Sequence, residues 1–551
     1  MQNVKILLLS CLILVTFTAC GGGGSGGALG STQSKNSDYQ LSYKGLTFFY
    51  QNKTSSQYGL AQLSNDDFNA LSDENRLQVA DKLLTTLFFG YPLKALKDKI
   101  ATGNFIDSLH SELNKDSTDK EWLENYILND EEFRQFQSSY YEPQAITILT
   151  RFYAMKKLDK YFLNNWIAYI LTQTIMFSPA YELSSTHTPN ISGVYNRIVN
   201  LLEQEAGIRF ITYVHMMSED NWRRFRSPED NGREMMEIFL QDTDDSHVPI
   251  AGKALQNWKL NTDSDTLEVG LNKNTTPLSL FGTTIYNGDD FYRELVKSKY
   301  FTRGVTNRLV DFFFPEKSMA EKNSIESAIV KSNPETWQDI LLQIIFSKEY
   351  LLHNSRAKSA EEEFYSLAKK MNYLHRRNTF YDLKSYLEKM HQASMKYKLG
   401  KLERVPLDTL SFAYYHKYIR EYILMKRANP DYIDDHNSWS HFGWIDDYIS
   451  FDKFIYDEND DVSSLKNFVD YLFKSTVTRV ATPSEQLLFK NHMIENRDGE
   501  DVFLYEFDMF TQNNDPQVEA TRRENNKRNI ARTVLDYISR LDITYSMREV
   551  N

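Results

Sequence analysis

The chain has 551 residues, of which 41% are hydrophobic and 25% are charged, and these values are ordinary for a globular protein. This length exceeds what one small core needs and favours one large domain or two closely packed ones. The net charge of −12 comes without a long basic run, which argues against binding to nucleic acid and against electrostatic binding to anionic lipid.

The first twenty residues have the pattern of a lipoprotein signal peptide. Lys5 precedes the apolar run ILLLSCLILVTF, which is long enough for a signal peptide but short for a membrane span. The run ends in FTAC and resembles a bacterial lipobox, although Phe17 stands where Leu is commoner. The resemblance implies cleavage before Cys20 and a lipid anchor on its sulfur. Because Gly21 rather than Asp follows, it also implies sorting to the outer membrane of a Gram-negative bacterium. The alternative is a plain signal peptide with an incidental cysteine.

The segment after the signal peptide predicts a flexible tether. Residues 21–38 are rich in Gly and Ser, a composition typical of a flexible coil. Cys11 and Cys20 are the two cysteines of the chain, so the exported part has none for a disulfide and depends on its core for stability. The predicted organisation is therefore a signal peptide at 1–19, a lipidated tether at 20–38 and a folded part at 39–551.

The folded part predicts a mainly α, large multi-helical globular domain with minor short β segments. Residues 41–50 are β-prone and predict a short strand. The segment NRLQVADKLLTTLFFG predicts an amphipathic helix that ends at Gly90. The segment NNWIAYILTQTIMF is apolar nearly all round and predicts a buried helix that is too short to span a membrane. The segment GVYNRIVNLLEQEAGIRFITYVHMM predicts two helices that are interrupted at Gly207.

Between residues 261 and 290 the helical pattern is interrupted. This segment is rich in Thr, Asn and Gly with short alternating stretches, and it predicts a loop or a small β-hairpin. It separates two possible lobes, 39–260 and 291–551. Farther along, Asn333 and Pro334 predict the cap and first turn of another helix, and a further helix is predicted to start at Ser359.

The common catalytic motifs are missing from the sequence: it has no nucleophile elbow, P-loop, dinucleotide-binding fingerprint or H-E-x-x-H motif. His436 and His441 in DDHNSWSH, with the aspartates around them, are candidate metal ligands. Their spacing fits neither one helix face nor a known loop signature, so a metal-free loop is the favoured interpretation. The sequence leaves any cofactor unknown.

The segment SPEDNGREMMEIFLQDTDD predicts a helix with a charged face. Ser227 and Asp230 suit a capping box, and Arg233 lies one turn before Glu237, so the two are predicted to pair. One interpretation is a surface helix whose ion pair contributes a few tenths of a kcal/mol. The other is that the face lines a cleft, where its carboxylates hold a metal, perform acid–base chemistry or bind a polar ligand. Local chemistry alone favours the surface helix.

The same segment resembles a signature of the bacterial exported family called domain of unknown function 1800. PEDNGREMMEIF is similar to N-E-N-x-A-R-E-L-x-E-L-x, and VPIAGKALQNW is similar to D-V-x-x-x-A-R-A-L-T-G-W, with further landmarks in order from about residue 76 to 371. The chain departs from the signature at His247, which replaces an Asp, and at Gln256 and Asn257, which replace Thr-Gly. The positions that match the signature are Glu229, Arg233, Glu234, Glu237 and Trp258.

The resemblance implies export and a largely helical fold rather than a reaction, because the family has no settled activity. It also places Arg233 and the glutamates with Trp258, which favours a charged face that is buried against ALQNW. The predicted function is a cell-envelope lipoprotein, a binding or assembly component that acts through a protein partner or a surface polymer. Its expected partners are the membrane, through the anchor, and an envelope protein, with no nucleic acid. The alternatives are a hydrolase with a carboxylate and arginine site on the 229–237 helix, and a scaffold without a small-molecule site.

Overall fold

The computed structural model describes five main stretches, 58–117, 155–176, 191–370, 461–491 and 530–550, together with strands between residues 30 and 50. Single residues at 89, 156, 262, 265 and 532 are excepted, and residue 148 is described by itself. The described residues are mainly helical with short two- and three-stranded sheets, as the sequence predicts. None of the helices in these stretches is both long enough and apolar enough to pass through a lipid bilayer.

The helices of the described residues are numbered in chain order. Helices α1 to α9 are Asn65–Asn69, Asp73–Phe88, Leu93–Ala101, Phe105–Leu113, Lys160–Thr174, Ile191–Glu203, Ile208–Met216, Glu219–Arg224 and Pro228–Leu240. Helices α10 to α18 are Val248–Ala254, Gly288–Lys297, Phe301–Phe313, Met319–Lys331, Trp337–Ile345, Lys348–Leu351, Ala360–Lys370, Asp461–Val477 and Pro483–Lys490. There are also two short 3-10 helices, Asp245–His247 and Asp542–Tyr545, and residues 533–538 are helical.

The strands form small antiparallel sheets. The nine strands of the described residues, β1 to β9, are Gly30–Thr32, Tyr39–Tyr43, Leu46–Tyr50, Trp258–Asn261, Thr266–Val269, Leu278–Leu280, Thr283–Ile285, Arg356–Ala357 and Ser546–Met547. The first three make one sheet, and the others pair as β4 with β5, β6 with β7 and β8 with β9. The single strand predicted at 41–50 is therefore two strands, and the segment 261–290 contains hairpins.

One hydrophobic cluster joins buried side chains from Leu60 to Tyr545, on both sides of the 261–290 segment. Helix α5 is buried on all its faces, as its apolar sequence predicts. Helices α6 and α7 are separated where predicted, with Gly207 at the N-cap of α7. Helix α2 ends before Gly90, whose φ of 108° lies in the left-handed region that glycine adopts without strain.

The start of helix α14 differs from its prediction. The N-cap is Thr336, and its hydroxyl and the carboxylate of Asp339 form a reciprocal capping box. Asn333, the predicted cap, instead adopts φ 52° just after α13. Helix α16 begins as predicted after Ser359, whose backbone N–H donates to the carboxylate of Glu362 at 2.8 Å.

Residues 542–550, called the closing segment below, lie against helix α2. Strand β9 pairs with β8, and the backbone N–H of Val550 donates to the carbonyl of Leu352 at 2.9 Å. The amide of Gln78 donates to the carbonyl of Glu549 at 3.0 Å. The closing segment therefore joins parts of the chain that are far apart in sequence.

Candidate functional site

Helix α9 carries the residues that the sequence singles out, and it begins as predicted. The hydroxyl of Ser227 accepts from the backbone N–H of Asp230 at 3.2 Å, and Pro228 occupies the first turn. The ion pair differs from the prediction, since Arg233 donates to Asp230 at 2.9 Å rather than to Glu237. The carboxylate expected to complete the capping box is thus engaged by the arginine.

The charged face of α9 is largely solvated. The side chains of Arg233 and Asp230 are 45% and 41% exposed, and Glu229 is also exposed. Glu234 is 12% exposed and lies 3.8 Å from Arg233, and Glu237 is half-buried. The expectation of an arginine buried against ALQNW is wrong, because the ion pair points outward while the apolar side of the helix enters the core.

Helix α9 packs closely on helix α10, the helix that leads into ALQNW. A Cβ at Gly232 would lie 2.3 Å from the Cβ of Ala251 on α10, so the two helices approach more closely than larger side chains permit. At the next contact, the side chain of Glu229 covers Gly252, where a Cβ would lie 2.8 Å from the Glu229 carboxylate. The part of the signature that carries Gly232 and Gly252 therefore has a packing role.

Trp258 lies apart from the charged face, in a buried aromatic cluster. Its ring stacks on Trp222 with centroids 5.8 Å apart and meets Tyr292 edge-on at 5.4 Å. The Trp222 indole N–H donates to the Tyr292 hydroxyl at 2.9 Å, and that hydroxyl donates to the side-chain oxygen of Asn231 at 2.7 Å. Burial raises the pKa of Tyr292 well above its usual value, so it remains a neutral donor. The cluster connects α9 to strand β4, which starts at Trp258.

Residues 258–287 hold the four strands β4 to β7 and are called the hairpin module below. The module follows helix α10 and begins at the aromatic cluster, and α9, α10 and this cluster together are called the platform. The side chain of Asn257 donates to the carbonyl of Gly270 at 2.7 Å, and that of Gln256 donates to the carbonyl of Asn272 at 3.1 Å. Asn274 is buried and donates to the carbonyl of Tyr286, which ties the two hairpins together. The residues that depart from the signature, Gln256 and Asn257, therefore hold the hairpin module in place.

The hairpin module presents apolar side chains to solvent. Leu271 is fully exposed, Val269 is half-exposed and Tyr286 is 43% exposed. Leu271 lies between two residues whose backbones are held by Asn257 and Gln256, so its position is fixed although its side chain has no cover. Each of β4 to β7 pairs with one neighbour within the described chain, which leaves its other edge without a strand partner. The sequence did not predict this exposed surface, because a single Leu in a Thr- and Asn-rich segment has no distinguishing pattern.

The other predicted site residues lie outside the described residues: Cys20 and both metal candidates, His436 and His441. Within the described stretches, no group of three or more His, Cys, Asp or Glu side chains is placed to hold a metal ion. His247 hydrogen bonds to Asp242 at 2.6 Å and meets the ring of Phe281 edge-on, which adds a further contact between α10 and the hairpin module.

Comparisons of the chain with protein-family models, with curated proteins and with solved structures return no match. The resemblance to the exported family therefore stays a prediction from the residues.

Proposed function

We propose that the protein is a lipid-anchored component of the cell envelope, a member of the family it resembles, that binds a protein partner through its hairpin module. The anchor is inferred from Cys20 and the tether that follows it. The observation that supports the binding role is Leu271, a fully exposed apolar side chain on a turn whose backbone is fixed by hydrogen bonds.

The module combines two properties of a protein-binding surface. A partner strand that pairs with the open edge of β5 would gain main-chain hydrogen bonds, which is the usual way an extended segment adds to a sheet. Covering Leu271 and Val269 would add about 1.5–3 kcal/mol for each side chain that becomes fully buried. Because the turn is already ordered, little conformational entropy is lost when a partner binds. An exposed leucine alone is common on protein surfaces, so the fixed turn and the open edge together support the proposal.

The binding role is tested by photo-crosslinking in cells. A photoreactive residue at Lys273, which is exposed beside Leu271, is compared with one at Lys97, which is exposed on α3. We expect a protein adduct of discrete mass at Lys273 that is lost on Leu271→Asp and retained on Leu271→Met. The proposal fails if both positions give the same adducts, or if the Lys273 adduct is insensitive to Leu271→Asp.

The anchor is tested by fractionation. Cys20→Ser is expected to move the protein from the membrane fraction to the soluble fraction, and Cys11→Ser, within the same signal segment, is the matched control that keeps it membrane-bound. A Cys20→Ser protein that partitions with membranes as the wild type does would show that the chain has no lipid anchor at this cysteine.

The hydrolase alternative has no comparable support. General acid–base catalysis needs carboxyl groups that are held within hydrogen-bond reach of a bound substrate. Glu229 and Arg233 are exposed, and the arginine pairs with Asp230 at the surface. Glu234 is 12% exposed, but its charged neighbour at 3.8 Å is this same solvated arginine. The charged face of α9 is more simply the solvated side of a helix whose other side builds the platform.

A further inference from the structure

A small polar cavity lies between helix α2, helix α16, the end of helix α17 and the closing segment. It encloses about 30 Å³ and is partly open to solvent. Lys82, Lys358, Lys370 and Arg548 line it, and Asp81 is the acidic residue among its lining side chains in the described chain. This volume suits one or two water-sized groups, such as the oxygens of a small anion.

Lys82 has a structural role in this cavity, because its amine binds the backbone of neighbouring segments. Its ammonium donates to the carbonyls of Asn354 at 2.5 Å, Arg548 at 3.2 Å and Leu351 at 3.4 Å. An ammonium group has three N–H donors, so these three carbonyls use all of them. Lys82 therefore connects α2 to the closing segment and contributes positive charge to the wall without a donor to spare.

The other two lysines retain donors. Lys358 donates to the carbonyl of Thr544 at 2.7 Å, which leaves two of its three N–H groups unused by the described protein. Lys370 donates to Asp81 at 2.7 Å and to the carbonyl of Thr476 at 3.0 Å, which leaves one. Both lysines line the same cavity, so a ligand held there would lie beside the side chains that carry the unused donors.

The cations of the cavity are incompletely balanced. Burial lowers the pKa of Lys82 to about 7 and also lowers that of Lys358, which shows how poorly these positive charges are solvated. Glu363 lies close enough to Lys358 to influence it, but its carboxylate is buried with neither oxygen hydrogen-bonded within the described chain, and burial raises its pKa. An anion between the lysines would supply the compensation that Asp81 alone does not.

We propose that the cavity binds a small carboxylate, of the size of formate or acetate, between the amines of Lys358 and Lys370. A carboxylate offers two oxygens for three unused donors, and charge-assisted hydrogen bonds of this kind are stronger than neutral ones. Because Lys358 also binds Thr544, the ligand connects helix α16 to the closing segment. This inference is independent of the hairpin module.

The proposal is tested by titrating the full chain with sodium acetate in a calorimeter. We expect saturable binding that is weakened about tenfold or more by Lys358→Gln, the loss expected when one hydrogen bond to a charged group is removed. Glutamine keeps a donor for Thr544, so the fold is expected to survive the change. Lys331→Gln, at an exposed position at the end of α13, is the matched control and keeps the wild-type affinity. Saturable binding that is equal in all three proteins, or no binding, overturns the proposal.

A second measurement needs no variant. The wild-type chain is treated with an amine-reactive reagent with and without acetate, and each lysine is followed by mass spectrometry. Acetate is expected to slow the modification of Lys358 and Lys370 while Lys331 is unaffected. Equal modification rates with and without acetate would contradict the proposal even if Lys358→Gln failed to fold.

Discussion

Helix α9 and the cationic cavity both gather charged side chains, but they do so by different routes. Helix α9 collects its charges within one short segment, whereas Lys82 and Arg548 meet in the cavity although 466 residues separate them. A helix that packs one side on a core leaves its other side to water, so charges that are close in sequence are readily solvated. The charges of the cavity lie among buried carbonyls and carboxylates, where the lower dielectric strengthens each electrostatic contact.

Arg356, which lies close enough to Lys82 to influence its charge, is an example of such a buried contact. Arg356 is fully buried and makes two parallel hydrogen bonds to Glu362, at 2.6 and 2.7 Å, and it also donates to the hydroxyl of Tyr350 at 3.0 Å. On α9, by contrast, the corresponding arginine is 45% exposed and pairs with a carboxylate that is also solvated. The two regions therefore predict different costs for removing an arginine.

The largest expected effect is at the buried arginine. Arg356→Met is expected to lower the free energy of unfolding by about 3–5 kcal/mol, because it leaves the Glu362 carboxylate buried without its partner. Urea unfolding measures the change. The double variant Arg356→Met with Glu362→Gln removes the stranded charge and is expected to regain part of the loss. A change below about 1 kcal/mol in the single variant would mean that the two arginines are alike after all.

The next effect is a pH dependence at Glu363. Its folded pKa is raised by burial above its usual value of 4.5, so its contribution to stability is full below pH 4.5 and is lost as pH rises through the folded pKa. Glu363→Gln is expected to flatten that loss, by about 1.4 kcal/mol for each unit by which the folded pKa exceeds the unfolded one. Urea unfolding at several pH values measures it, with Glu316→Gln at an exposed position as the control. Parallel pH profiles for wild type and Glu363→Gln would show that this carboxyl is not desolvated.

A smaller loss of stability is expected where α9 packs on α10. Gly232→Ala is expected to cost about 1–3 kcal/mol, because the new methyl group meets the Cβ of Ala251 at 2.3 Å. Thermal unfolding measures the loss. Combining it with Ala251→Gly restores the space and is expected to recover much of the stability. If the second change gives no recovery, the close approach of α9 and α10 is not the source of the cost.

The smallest effect is expected on the charged face itself. Arg233→Ala should change stability by a few tenths of a kcal/mol, the usual contribution of an exposed pair between neighbouring helical turns. Glu237→Gln, on the same face, is the comparison. A loss above about 2 kcal/mol from Arg233→Ala would restore the buried interpretation of this face and weaken the contrast with the cavity.

The elements that the sequence predicts well are those with a local cause. The break at Gly207, the end of α2 before Gly90 and the start of α16 at Ser359 all depend on residues within one or two turns. Asn333 shows the limit of this reasoning, since it is an adequate cap by type, but Thr336 has Asp339 three residues later to complete a capping box. The choice between two local caps depended on which residue had a reciprocal partner.

The cavity had no such local cause. Asp81 and Lys370 are paired although they are 289 positions apart in the sequence, and no periodic pattern relates such positions. The hairpin module is an intermediate case. Its strands were foreseeable from Thr- and Asn-rich alternation, but the anchoring of Leu271 by Gln256 and Asn257 depends on how the module folds back on the residues before it. The charged face of α9 was conspicuous for the opposite reason, since all its residues are close together.

The closing segment has a consequence for the order of events during synthesis. Gln78 and Glu549, which touch in the finished protein, are made 471 residues apart, so α2 emerges from the ribosome long before the residues that cover it. Until residues 542–550 arrive, the amine of Lys82 lacks a carbonyl partner and strand β8 lacks its neighbour. A chain without residues 542–550 is expected to expose α2 and β8 to proteases. The contacts that cover this part of α2 are therefore among the last that the folding chain can form.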